Sequence, residues 1–298
     1  MKSLLLLVAT LLLATSVFAQ NTTWNKLVDE FFDGYFDINP TQGTQSGFHQ
    51  YDSKLEDYSK AGVDKQVAWD NQWLDRLAKF DAKSLSPEER QDYQLVENTV
   101  KSDLLSLQQI RGWEKNPDRY SSGITSSAFV IMARKFAPPE DRLRSLIARE
   151  KQMPAVFAAA RHNLNNPPRI YTEVAISQVP GIVGFFQKDV PEAFKDVTDK
   201  QLLTEFRESN GAVIVALQKY EDFLKNDLLP ISKGDFRIGA DNYAKKLQYD
   251  EMVDVPLDRL LEIGYADLHR NQAEFKRVAK LVDPKKTPEE ILSNLQKD

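Results

Sequence analysis

Cysteine is absent from this 298-residue sequence. Its absence excludes disulfides, thiolate nucleophiles, cysteine metal ligands and lipid attachment through a cysteine. Histidine is scarce too, with only His49, His162 and His269. No two of them lie one helical turn apart, so the zinc signature H-E-x-x-H is missing. Lys/Arg runs are also missing, and the formal net charge is -5. A mildly acidic chain without a basic stretch is a poor polyanion binder, so no nucleic-acid partner is expected. Beyond the N-terminus, no apolar run is long enough to cross a bilayer. Glycines match neither phosphate-binding spacing. Gly43-Thr44-Gln45-Ser46-Gly47 resembles a nucleophile elbow only superficially, because that motif is G-x-S-x-G after a strand.

What is present begins with an export signal. Met1-Lys2-Ser3 is a short positive start, Leu4 to Leu13 is almost wholly apolar, and Val17-Phe18-Ala19 supplies a cleavage site. This pattern predicts a signal peptide over 1–19, cut after Ala19, and a mature protein that is periplasmic or secreted. Asn21-Thr22-Thr23 is formally a glycosylation sequon. Apolar residues make up 42% and charged residues 28%, a balance that supports a sizeable core and argues against disorder.

Helical periodicity dominates the rest. Trp24 to Phe36 reads as an aromatic-rich helix ending before Asn39-Pro40. Its Phe31, Phe32, Tyr35 and Phe36 suit a core, or less simply a cleft. Val63 to Phe80 carries Val67, Leu74 and Leu77 on one side. Ser86-Pro87-Glu88-Glu89 is a capping box, followed by the stripe Tyr93, Val96, Val100, Leu104 and Leu107. A helix opens at Pro138-Pro139, and Pro154 must kink or break it. Thr198-x-x-Gln201 is expected to cap a long helix with Leu202, Phe206, Val213, Leu217, Tyr220 and Leu224 inward. Pro256 starts another, with Leu257, Leu260, Leu261, Gly264, Leu268, Phe275 and Val278 on its stripe. Thr287-Pro288-Glu289-Glu290 is a second capping box. Phe129 to Met132 is a short strand-like run, and Ile170 to Val179 is ambiguous. The fold class is therefore all-α, or predominantly α with a minor sheet: an array of long amphipathic helices.

Residues for chemistry are thin. His49-x-x-Asp52 is the nearest local metal-like pair, and a histidine bonded locally or to solvent is its simpler reading. His269 sits at a stripe edge, and His162 lies near a helix end, where an imidazolium suits the dipole. Glu150, Glu173 and Asp189 adjoin apolar segments and would be the carboxylates of a glycosidase-type reading. Solvated helix faces account for most such residues, so no catalytic, metal or cofactor-binding residue is assigned.

Several stretches in order resemble a known family. They are Phe36-Asp37-Ile38-Asn39-Pro40-Thr41 with Gly47-Phe48-His49-Gln50-Tyr51-Asp52, then Leu85 to Tyr93, then Asn165-Asn166-Pro167-Pro168 with Thr172-Glu173. Phe236-Arg237-Ile238-Gly239 with Tyr243, leading to Leu260-Leu261-Glu262-Ile263-Gly264, completes the series. This order resembles the N-terminal half of the DUF885 family, exported bacterial proteins of unknown or predicted zinc-metallopeptidase-like function. The resemblance implies a helical domain over 20–298 like the first half of a zincin-like protein, C-terminally incomplete. In full-length members it implies zinc held by an H-E-x-x-P-G-H-H type segment, absent here, and a peptide substrate. This chain then has no cofactor of its own and forms part of the substrate cleft, with Phe236, Arg237 and Tyr243 as candidate lining. The alternative is a non-catalytic helical binding or scaffold protein.

Overall fold

A computed structural model describes residues 24–295. The expected signal peptide and the Asn21 sequon lie outside these residues. The chain forms two compact units, one up to Ile238 and one from Gly239.

The first unit opens with helix α1 (residues 24–38), α2 (Pro40–Gln45) and a 3-10 turn at His49–Tyr51. Then come α3 (Lys60–Ala78) and α4 (Pro87–Leu104). These long helices form an aromatic-rich layer around Trp24, Phe31, Trp73, Leu77, Val96 and Val100. The helices form where the periodicity places them. Ser59 caps α3 by accepting from Gly62 N, three residues earlier than the apolar pattern suggests. The α4 cap is the reciprocal box read from sequence: Ser86 Oγ accepts from Glu89 N, and the Glu89 carboxylate accepts from Ser86 N. Ser86→Ala is expected to cost about 1 kcal/mol, read as a lower urea midpoint at unchanged slope. Of the α4 stripe, Val96, Val100 and Leu107 are buried, while Tyr93 and Leu104 are half-buried. The Tyr93 hydroxyl donates to Leu77 O at 3.0 Å and ties α4 to α3.

The main core follows, built by α6 (Asp118–Ala133), α7 (Pro139–Glu150), α8 (Met153–Asn163), α9 (Arg169–Gly184) and α11 (Lys200–Phe223). The short α5 (Gly112–Lys115) and α10 (Val190–Ala193) connect them. Tyr120, Ile124, Leu143, Leu146, Phe186 and Leu217 lie at its centre, all fully buried. Every residue predicted to face inward from α11 is buried. Pro154 does separate α7 from α8, and it stands in the first turn of α8, where no amide is lost.

Three expectations are corrected. Phe129 to Met132 and Ile170 to Val179 are both helical, within α6 and α9; long-range packing selects helix over a local β-like composition. Among the described residues no strand occurs, only one isolated bridge between Pro168 and Gly234. The cap of α11 is Asp199, not Thr198: its carboxylate accepts from Gln201 N and Leu202 N, and a carboxylate also complements the helix dipole.

The second unit holds α12 (Ala240–Glu251), α13 (Leu257–Val282) and α14 (Pro288–Leu295). The Thr287 capping box is formed, with Glu290 N donating to Thr287 Oγ1 at 3.2 Å and Thr287 N to the Glu290 carboxylate at 2.8 Å. Ile291 of α14 and Ala279 of α13 are buried. The rest of the α13 stripe is the third correction. Leu261, Leu268, Phe275 and Val278 are exposed rather than buried, and Leu257 and Leu260 are only half-buried. The periodicity read the helix correctly; among the described residues, no packing partner covers these side chains.

Candidate functional site

The chemistry-bearing side chains of the first unit gather where α2 and the His49–Tyr51 turn meet α6 and α7. Arg149, on α7, is fully buried. Its guanidinium donates to Ser127 O at 2.7 Å, Thr44 Oγ1 at 2.6 Å and Tyr51 O at 3.2 Å. Burial lowers its pKa, and the nearby Glu56 and Asp52 carboxylates pull it back up. Glu56 is itself committed: it accepts from Thr41 N and Thr41 Oγ1, both at 2.9 Å.

His49 and Asp52 do meet. His49 Nδ1 lies 3.1 Å from Asp52 Oδ2, and the imidazole stacks on Phe136 with centroids 3.9 Å apart. Asp52 is buried while the His49 side chain is 42% exposed. A carboxylate on one ring nitrogen fixes the ring and leaves the other nitrogen for proton exchange or a ligand. The arrangement stops there. Among the described residues, no group of three or more His, Cys, Asp or Glu side chains is placed to hold a metal ion. His162 lies in the last turn of α8, and His269 lies on α13, stacked on Tyr265. The residues present therefore do not fit the zinc site that the resemblance implies for full-length relatives.

The three candidate carboxylates separate widely in character. Glu173 pairs with Arg169 at 2.7 Å on an exposed helix face. Asp189 is exposed and closes a π-helical turn. Glu150 is fully buried, accepts from Ser209 Oγ at 2.5 Å and leaves its other oxygen without a partner. Burial pushes its pKa up to about 8, against a smaller downward pull from Ser209. A buried carboxyl of this kind is a core element, and among the described residues no second carboxylate hydrogen-bonds or pairs with it as a glycosidase centre would need.

A cavity of about 150 Å³ lies beside this cluster, between the end of α1, the 55–58 stretch, the start of α3 and the α5–α6 corner. Asp57, Tyr58, Lys65, Trp113 and Arg119 contribute to its walls. Gly62 holds the walls together: a Cβ there would lie 2.2 Å from the Asp57 carbonyl oxygen. Phe236 and Arg237 close the first unit, exposed, with Arg237 paired to Asp235. Tyr243 is exposed on α12 of the second unit.

Sequence reasoning passed over Arg149 and Asp70, both fully buried. Asp70 had a signal, since it interrupts the spacing of Val63, Val67, Leu74 and Leu77. Glu150 continues the spacing of Leu143, Leu146 and Ile147 in the same way. Arg149 had none, because its partners are far away in sequence.

Comparison with known proteins adds three findings. A search of curated proteins finds no match. A solved structure described as "a putative lipoprotein of unknown function from Shewanella oneidensis" superposes with a TM-score of 0.74 at 28% identity, over 88% of this chain and 48% of that one. The chain thus spans about half the length of that protein. The profile of DUF885, described as a bacterial protein of unknown function, matches residues 40–298. That match takes in both compact units and the whole polar cluster around Arg149, and the chain belongs to the DUF885 family.

Proposed function

We propose that this chain is the helical, non-catalytic portion of an exported DUF885 protein that hydrolyses peptides with zinc. The metal ligands are supplied by residues outside this chain, and the helices here form one wall of the peptide cleft. The observation that carries the reading is the open face of α13. Leu257, Leu261, Gly264, Leu268, Asn271, Phe275, Val278 and Val282 alternate at spacings of four and three along it. That is the spacing of a helix–helix seam. Leu261, Leu268, Phe275 and Val282 are 47% or more exposed, with Val282 at 64%. A contiguous apolar stripe of this length is a docking face for further helices. The solved relative of about twice the length has room for them. The opposite side of α13 is laced with ion pairs, among them Arg259–Glu262 and Arg277–Glu274, as a solvated face is.

Two measurements test this. The purified 298-residue chain, incubated with a peptide library, is expected to show no hydrolysis. Chelator-sensitive cleavage by this chain alone overturns the division of labour. The double variant Leu268→Glu/Phe275→Glu is expected to lose most of the anilinonaphthalene sulfonate binding of the parent. Its stability should fall by no more than about 1 kcal/mol, because both side chains are already about half exposed. A large stability loss would mean that the seam is filled within the chain.

A further inference from the structure

Asp70 stands mid-way along α3 and is fully buried. Neither of its carboxyl oxygens has a hydrogen-bond partner. The groups that act on it come from the two helices packed on α3. α4 brings Asp103, whose charge opposes ionisation of Asp70. α1 brings Tyr35, whose own phenol is held up by burial and by both carboxylates. Among the described residues, no cation is among the groups that act on Asp70. The ion pair that does join α1 to α3, Arg76–Glu30 at 2.5 Å, is already complete. A buried carboxylate with neither donor nor counter-charge is strongly unfavourable, and the simplest remedy is a proton.

We propose that Asp70 is a proton-operated latch for the α1–α3–α4 layer. With its proton in place the three helices close over it; ionised beside Asp103, it loosens this layer while the α6–α11 core stays folded. The layer has its own apolar cluster, separate from the cluster around Tyr120 and Leu217, which permits local opening. Burial first and Asp103 second push the Asp70 carboxyl from 3.8 up to about 8. The sign follows: the closed layer binds a proton that the open layer releases. Closure is therefore full below the ordinary carboxyl range and is lost as the pH rises through about 8.

Three of the four tryptophans report on this layer, because Trp24, Trp69 and Trp73 all belong to its cluster. Intrinsic fluorescence and far-UV circular dichroism of the full chain are recorded from pH 6 to 9.5. The parent is expected to show a red shift centred near pH 8 with nearly constant helicity. Asp70→Asn should show no transition, Asp103→Asn should weaken the transition or move its midpoint to higher pH, and Glu150→Gln should leave it in place. A flat parent profile overturns the proposal. So does a transition that survives Asp70→Asn, or one that Asp103→Asn neither weakens nor moves to higher pH. If Asp70→Asn fails to fold, the Asp103→Asn profile decides.

Discussion

Arg149→Ala is expected to destabilise the first unit by roughly 3–5 kcal/mol, the range for removing one member of a buried, charge-linked network. The guanidinium joins α7 to α6, to α2 and to the His49–Tyr51 turn through three hydrogen bonds. Alanine leaves two carbonyls and a hydroxyl without their donor in a site closed to water. It also removes the positive charge that the nearby Glu56 and Asp52 carboxylates favour. Arg149→Lys should recover only part of the loss, because an ammonium on a flexible stem cannot reproduce the planar fork. Urea denaturation followed by circular dichroism checks both variants. A loss below about 1 kcal/mol for alanine would show that water replaces the guanidinium without penalty.

Glu150→Gln is expected to act in the opposite direction, by an amount that grows as the pH rises from 4.5 to about 8. Burial holds the Glu150 carboxyl up at about 8, against 4.5 for a glutamate in water. The folded state therefore keeps a proton that the unfolded chain gives up. Its contribution is complete below pH 4.5 and drains away as the pH rises through about 8. At about 1.4 kcal/mol for each pH decade between the two values, the parent loses a few kcal/mol over that window. Glutamine keeps the shape, still accepts from Ser209 through its carbonyl and carries no charge. The variant should match the parent near pH 5 and exceed it by a few kcal/mol near pH 9. Thermal melts at the two pH values measure this. Parallel decline of both proteins would show that Glu150 ionises without cost in the fold.

Much of the architecture was legible in the sequence because its signals are local. The Ser86 and Thr287 capping boxes, the Pro154 break and the inward stripe of α11 each depend on residues within a few turns. The errors arose where a local pattern met a non-local outcome. Phe129 to Met132 looks like a strand, yet it lies within α6, with Ile131 buried against the main core and Phe129 exposed. The α13 stripe has the same periodicity as that of α11, yet one is buried and the other open; periodicity identifies an apolar face without saying what covers it. The polar cluster was least legible. Arg149 meets Thr44 and Tyr51 across about a hundred residues of chain, a relation no spacing rule contains. His49 and Asp52 were visible as a pair because they are three residues apart. Their burial contrast and the stacking on Phe136 were not.

The prolines at the helix starts have a consequence for the denatured chain. Pro40, Pro87, Pro139, Pro154 and Pro191 each stand in a first turn, where the native backbone already has the angle their rings impose. Each narrows the ensemble of the unfolded polypeptide at little native cost, an effect of about 0.4–1 kcal/mol per site. Many proteins restrict that ensemble with disulfides, and this sequence has no cysteine with which to do so. Rigid rings spaced along the chain supply a share of that restriction, and no reducing agent can remove it.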